Sequence, residues 1–312
     1  MDVTFAYNLD RLRSLSKRIG ATPLLDLSGL LANDRVKLYA KAEWCQLGGS
    51  VKARAAYRIM ADAVEQGLWQ PGMHMLDATS GNTGIAYAAI GAAAGIPVTL
   101  CLPDNASQER KTLLQALGAE LVYTSPFENT DGAQREAKLM ADNAPERFCY
   151  LDQYSNRSNW LAHYDTTAEE IWTQSEQAIT HFVTGLGTSG SFMGITRKLK
   201  EKDARIQCVA LQPDSILHGL EGWKHMPSAK VPAFYNPDQA DEHHSVDSMD
   251  ALAMMKRLAR EEGLLVSPSS AANVWGALRV ADTLESGTIV TLLPDDASKY
   301  GEVWAQIEDV NL

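Results

Sequence analysis

Short apolar runs alternate along the whole chain with longer stretches of helical character. The apolar runs are typical of strands buried on both faces of a sheet. They predict strands at 36–43, 74–79, 97–103, 119–124, 181–187, 206–213 and 288–296. The stretches between them predict helices at 51–67, 81–95, 107–119, 192–202 and 249–263. Such alternation indicates βαβ units, so we expect an α/β protein with mostly parallel sheets flanked by helices.

Two segments need separate interpretation. The apolar run 85–102 approaches the length of a membrane span, but Gly95 and Pro97 interrupt it, so we expect a buried helix, a turn and a strand. The segment 212–248 is irregular, rich in Pro, His and Asp, and long for a connection, which suggests a functional loop. The helix after it places Met255 and Leu258 in the predicted core.

Composition narrows the class of protein. The chain has 312 residues, 45% of them hydrophobic and 21% charged, with a net charge of −11. This acidic balance argues against nucleic-acid and membrane partners. The four cysteines are widely spaced, so we expect buried free thiols in a reducing, cytoplasmic setting, and no signal segment is recognised. His243 and His244 are interpreted as a solvated turn, and no metal is expected.

The stretch "GLGTSGS", 185–191, matches G-x-G-x-x-G. A dinucleotide site would also need a carboxylate at the end of the next strand, which instead ends in Leu211, Gln212 and Pro213. A glycine-rich loop at the start of a helix can bind a phosphate through its amides and hydroxyls. On these residues alone, a phosphate site and a tight turn that binds nothing remain equally open.

Three further stretches favour a bound cofactor. In "QLGGSVKAR", 46–54, Lys52 follows a glycine pair at the start of a helix, where the dipole and burial would lower its pKa and suit a Schiff base. In "ATSGNTG", 78–84, a second loop between a strand and a helix has the size of a carboxylate site. The third, "SPSSAAN", 267–273, clusters hydroxyl groups after an apolar run.

In this order, and together with "IGATPLLDL" and "SQERKTLLQALGAELV", the motifs resemble the cysteine synthase family. These are fold-type II enzymes dependent on pyridoxal 5'-phosphate (PLP), two-lobed like the tryptophan synthase β chain. The resemblance implies that Lys52 holds PLP as an internal aldimine and acts as the general base. It implies a phosphate site at Gly187, Thr188, Ser189, Gly190 and Ser191. It also implies that Asn82 contacts the 3'-oxygen and Ser269 the pyridine nitrogen, and that the substrate carboxylate is bound by Thr79, Ser80, Thr83 and Gln153.

The implied reaction is β-replacement through an α-aminoacrylate intermediate, forming L-cysteine from a small amino-acid substrate. O-acetylserine or O-phosphoserine would supply the carbon skeleton, and sulfide or a thiocarboxylated sulfur-carrier protein the sulfur. Lys224 in "HGLEGWKHM", helped by His218 or His225, would bind a substrate phosphate, although a solvated loop is an equal alternative. The resemblance also implies a homodimer, a smaller mobile domain at 46–156 that closes over substrate, and a larger cofactor-phosphate-binding domain formed by 1–45 and 157–312.

Several positions depart from the family pattern. Gln46 and Leu47 replace an Asn-Pro pair, and Lys299 replaces an arginine. Ser267, Ala271 and Ala297 stand where glycines are usual, and their Cβ atoms would crowd the cofactor ring. Other functions therefore remain open: a cyanoalanine, diaminopropionate or cystathionine synthase, a catalytically weak PLP-binding homologue that acts through partners, or a dinucleotide-dependent dehydrogenase.

Overall fold

The structure is a computed structural model that describes residues 3–79 and 81–309. The chain forms two compact units. One contains the chain up to Gly20 together with Gln46–Asn159, and the other contains Ala21–Cys45 together with the chain from Trp160 onwards. The division expected from sequence placed all of 1–45 in the larger unit. The difference follows from a long-range contact, because Asn8 near the N-terminus donates hydrogen bonds of 2.9 Å to the carbonyls of Ala94 and Gly95 in the first unit.

Every predicted strand and helix is present, with ends that differ by up to three residues. The strands are β1 Leu24–Asp26, β2 Val36–Ala42, β3 His74–Ala78, β4 Val98–Pro103, β5 Glu120–Thr124, β6 Phe148–Tyr150, β7 His181–Gly185, β8 Gln207–Pro213, β9 Glu242–Val246 and β10 Gly287–Leu293. The helices are α1 Val3–Ser14, α2 Lys52–Glu65, α3 Asn82–Ala94, α4 Gln108–Ala116, α5 Asn129–Asn143, α6 Ser158–Ala162, α7 Ala168–Gln174, α8 Gly190–Lys202, α9 Ser248–Glu261, α10 Pro268–Ala281 and α11 Gly301–Asp309.

The unit that contains α2 and α3 is built on a parallel sheet of order β5-β4-β3-β6. The run 85–102 is confirmed as a helix, a turn and a strand: α3 ends at Ala94, Gly95 after it has a left-handed φ of 71°, and β4 follows. Gly91 is required here, since a Cβ would lie 2.6 Å from Val98. Among the described residues, no helix combines the length and the hydropathy needed to cross a membrane.

The other unit is built on a sheet of order β1-β2-β10-β7-β8-β9, parallel except for the β1–β2 pair. Its core includes Met255 and Leu258 on α9, as predicted. The segment 212–248 was expected to be irregular, and this was wrong for β9, whose Glu242 pairs with Val209 of β8. An edge strand with mostly exposed side chains lacks the apolar alternation that would predict it.

Three of the four cysteines are buried free thiols, as expected: Cys101, Cys149 and Cys208. The expectation was wrong for Cys45, which is exposed. Cys45 lies in the turn after β2, where its N–H donates to the carbonyl of Ala42. Turns lie at the protein surface and expose side chains of any type, so the residue type of Cys45 alone did not predict its exposure.

Candidate functional site

The glycine-rich loop connects β7 to α8, within the unit that contains Trp160 and the residues after it. Ser189 precedes the first residue of α8 with a left-handed φ of 63°, and its hydroxyl donates to the carbonyl of Thr188 at 2.7 Å instead of capping the helix. No acidic residue lies in the first turn. The first amides of a helix have no partner within the helix, so Gly190 and Ser191 present N–H donors at a positive dipole end.

Two glycines of this loop are explained by a distant segment. A Cβ on Gly187 would lie 2.1 Å from the carbonyl oxygen of Gly222, and one on Gly185 would lie 1.9 Å from the ring of Trp223. The N–H of Lys224 donates to the carbonyl of Leu186 at 2.8 Å, which fixes the two segments together. The first glycine of the apparent dinucleotide motif therefore serves packing against Trp223, a role that sequence reasoning missed.

Ser269 lies in the first turn of α10, in the same unit. Its buried hydroxyl is 3.2 Å from that of Ser267, and Ser267 caps the helix by accepting a hydrogen bond from the N–H of Ser270. Ser267 has a φ of −72°, and Ala271 lies inside the helix, so neither needs a glycine conformation. Ala297 likewise lies in a short helical turn, Ala297–Lys299. The lost glycines therefore introduce no left-handed strain.

Lys52 is the first residue of α2, in the unit built on β3 to β6, and is half-buried. Gly48 and Gly49 before it have φ values of 84° and 62°, which only glycine adopts without strain. Gln46, at the position of the family's asparagine, accepts a hydrogen bond of 3.0 Å from the N–H of Gly20. The departure thus anchors the turn that leads to Lys52.

The second loop connects β3 to α3 in this same unit. Gly81 precedes α3 without any side-chain cap, and Asn82 and Thr83 form its first turn. The hydroxyl of Thr79 accepts from the N–H of Gly81 at 3.3 Å. Ser80 lies outside the described residues. These groups present amide and hydroxyl donors at a helix N-terminus, which suits a carboxylate.

Gln153 reaches this loop from the segment after β6. Its side-chain amide donates to the carbonyl of Ala78 at 3.0 Å, and its own N–H donates to Asp77 at 3.2 Å. Burial raises the pKa of Asp77 to about 7, although hydrogen bonds from Ala78 and Gln153 oppose that shift. Sequence reasoning did not single out Asp77. The available signal was a carboxylate within an otherwise buried strand.

Lys224 is half-buried beside the glycine-rich loop. Of its two predicted helpers, His218 has a pKa lowered by burial and by the neighbouring His225. Its Nδ1 accepts a hydrogen bond from the N–H of Leu220 at 3.2 Å, so the ring is neutral near pH 7. Positive charge in this segment is therefore supplied by Lys224 and not by His218.

The residues present fit PLP. The start of α8 offers amides and neutral hydroxyls without a nearby first-turn carboxylate, which suits a phosphate. Ser269 offers a neutral hydroxyl, which matches an uncharged pyridine nitrogen. Lys52 supplies a primary amine at the start of a helix. The predicted phosphate and pyridine contacts thus lie in one unit, and Lys52, Thr79, Asn82, Thr83 and Gln153 lie in the other.

Comparisons with known proteins identify the family. Residues 15–295 match the family described as "Pyridoxal-phosphate dependent enzyme". A cysteine synthase of Aquifex aeolicus is 42% identical over 294 residues, 92% of this chain and 90% of that protein. An O-acetylserine dependent cystathionine beta-synthase of Bacillus subtilis is 34% identical over 292 residues, 92% of this chain and 95% of that protein.

A solved structure gives the same result for the fold. The crystal structure of cysteine synthase (OASS) from Entamoeba histolytica has a TM-score of 0.87 at 30% identity, covering 95% of this chain and 94% of that chain. The likeness extends over both sheets and nearly the whole sequence. The chain therefore belongs to the cysteine synthase family of fold-type II pyridoxal-phosphate dependent enzymes, and it is a PLP-dependent β-replacement enzyme.

Proposed function

We propose that this enzyme forms L-cysteine from O-acetylserine and sulfide. Its likeness to the cysteine synthase of Aquifex aeolicus and to the cysteine synthase (OASS) of Entamoeba histolytica supports this reaction. The observation that carries the proposal is the uncapped start of α3, which offers donors for an amino-acid carboxylate in the same unit as Lys52. Bound PLP withdraws electrons from the α-carbon of an amino acid.

The chain's own residues then have separable tasks. Thr83, Gln153 and the loop before α3 hold the substrate carboxylate with the help of the dipole and N–H groups at the start of α3, and Asn82 would contact the 3'-oxygen of PLP. Lys52, as a neutral amine, removes the proton from the α-carbon and returns it after sulfide has replaced the acetate leaving group. The hydroxyl of Ser269 accepts or donates a hydrogen bond without holding a full charge, which favours β-elimination over transamination.

Borohydride reduction of the holoenzyme, followed by peptide mass spectrometry, tests the cofactor part. We expect a pyridoxyl adduct on Lys52, no adduct in Lys52→Ala, and an unchanged adduct in Lys37→Ala, an exposed lysine used as a control. Turnover of O-acetylserine and sulfide to cysteine tests the reaction. An adduct elsewhere would reject the site, and an adduct on Lys52 without cysteine formation would reject the substrate pair.

A second substrate, O-phosphoserine, is favoured by one observation: Lys224 is held beside the glycine-rich loop by its N–H bond to Leu186. A lysine there would bind a phosphate leaving group as a point charge. We expect Lys224→Ala to lower kcat/KM for O-phosphoserine at least tenfold and to leave that for O-acetylserine within twofold. Lys230→Ala, exposed in the same segment, is the control. Equal effects on both substrates would reject this role.

The sulfur donor and the assembly are separate proposals, each with its own test. Formation of cysteine from sulfide by the purified protein would support sulfide as the sulfur donor. Formation of cysteine only with a thiocarboxylated carrier protein would show that the carrier protein is the donor instead. A homodimer, a cytoplasmic location and closure of the unit around 46–156 stay predictions. Light scattering of purified protein measures the first of them directly.

A further inference from the structure

Asp77 is a carboxyl group enclosed in protein, 1% exposed, near the end of β3. One oxygen accepts a hydrogen bond of 2.7 Å from the N–H of Ala78, and the other accepts one of 3.2 Å from the N–H of Gln153. The hydroxyl of the buried Tyr87 lies beside it. Both carboxylate oxygens are thus directed at the backbone of two segments that are 75 residues apart.

These two segments carry groups assigned above to substrate. Gln153 is fixed three times: through its N–H to Asp77, through its side chain to Ala78, and through its carbonyl, which accepts from Asn159 at 2.7 Å. Asp152 before it has a left-handed φ of 45°, which turns the chain into this arrangement. Ala78 leads directly into Thr79, whose N–H donates to the carbonyl of Cys101 at 3.0 Å.

Burying a carboxylate in an apolar strand costs free energy of folding, because the group loses its hydration and the amides that contact it carry no opposite charge. An apolar residue at this position would stabilise the sheet more. The group is useful where two amides must be held by one rigid acceptor with two oxygens, since charge-assisted hydrogen bonds are about twice as strong as neutral ones.

We propose that Asp77 is a positioning residue: its carboxylate holds Gln153 and the start of the 79–83 loop in the arrangement that receives the substrate carboxylate. This role rests on the proposed function, because it concerns the same amino-acid site. Asp77 acts through its neighbours and takes no part in the bond changes.

Asp77→Asn in the full-length holoenzyme tests the role, with Asp142→Asn, an exposed partner of Lys138 on α5, as the control. We expect the KM for O-acetylserine to rise at least tenfold with kcat within threefold, and a melting temperature at pH 8 no lower than that of the wild type. The control should change neither constant. A KM within twofold of the wild type, or a loss of thermal stability and PLP content at unchanged KM, would overturn the proposal. Failure of the wild type to use O-acetylserine would instead reject the proposed function.

A second measurement uses wild-type apoprotein, which covers the case in which Asp77→Asn does not fold. Relative to amides of β4, which report the stability of the whole sheet, hydrogen exchange at Ala78 and Gln153, corrected for the intrinsic rate, should lose at least tenfold protection between pH 8 and pH 6. The reason is that a proton on Asp77 weakens these two hydrogen bonds while it stabilises the folded state as a whole. The groups that face Asp77 are Tyr87, Cys101, Tyr150, Asp152 and Tyr154. Burial raises the pKa of the tyrosines and the cysteine, so they stay neutral over this range, and Asp152 is the other carboxyl. Unchanged relative protection at both amides would reject the proposal.

Discussion

Substituting Gly187 by alanine is expected to weaken PLP binding through the phosphate. The new Cβ would lie 2.1 Å from the carbonyl oxygen of Gly222, so one segment must move by about 1 Å. Lys224 resists that movement through its hydrogen bond to Leu186. A displaced loop loses one or two hydrogen bonds to a charged phosphate, at about 1.5–3 kcal/mol each. A loss of about 3 kcal/mol corresponds to roughly 100-fold in the dissociation constant.

The assay is a titration of apoprotein with PLP and, separately, with pyridoxal, which lacks the phosphate. We expect Gly187→Ala to raise the dissociation constant of PLP roughly 100-fold and that of pyridoxal by less than threefold. Gly219→Ala is a matched control in the same unit, because a Cβ there meets no atom within 4 Å. Equal losses for both ligands, or unchanged PLP binding, would show that this loop does not hold the phosphate.

Three further predictions concern stability. Because burial raises the pKa of Asp77 from 3.8 to about 7, the folded state favours its proton, and the free energy of unfolding should fall by about 3 kcal/mol as pH rises from 4 to 7. Urea titrations of wild type and Asp77→Asn should show this slope only in the wild type, and parallel curves would refute it. Ser267→Ala removes the N-cap of α10 and should lower the free energy of unfolding, measured by urea titration, by about 1 kcal/mol. An unchanged urea midpoint would show that this cap does not stabilise the protein. Lys41→Met removes the buried ammonium group 2.8 Å from the carboxylate of Glu170, which is 20% exposed and still accepts a hydrogen bond from the N–H of Ala21. The change should lower the free energy of unfolding by about 2 kcal/mol, part of which Glu170→Gln should restore, and purely additive losses would contradict this coupling.

The features that could be predicted from sequence depend on interactions between residues close together in the chain. Periodicity predicted the strands and helices because burial on both faces of a parallel sheet demands long apolar runs. The glycine pair before Lys52 marked a turn because both residues need a left-handed backbone. The starts of α3 and α8 were predicted as anion sites because a helix N-terminus favours an anion in any fold. The family resemblance added roles for individual residues, which no periodicity could supply.

Contacts between distant residues decided the rest. Gly185 and Gly187 owe their identity to Trp223 and Gly222, and nothing within the loop itself shows that a Cβ would collide there. The strand β9 exists because β8 offers it an edge to pair with, despite its polar side chains. Asp77 is buried because Tyr87 of α3 and the segment around Gln153 cover the face of the sheet from which its side chain projects, and that burial changes its proton affinity. Sequence determines backbone preference residue by residue, whereas close approach and desolvation arise only when separate segments pack.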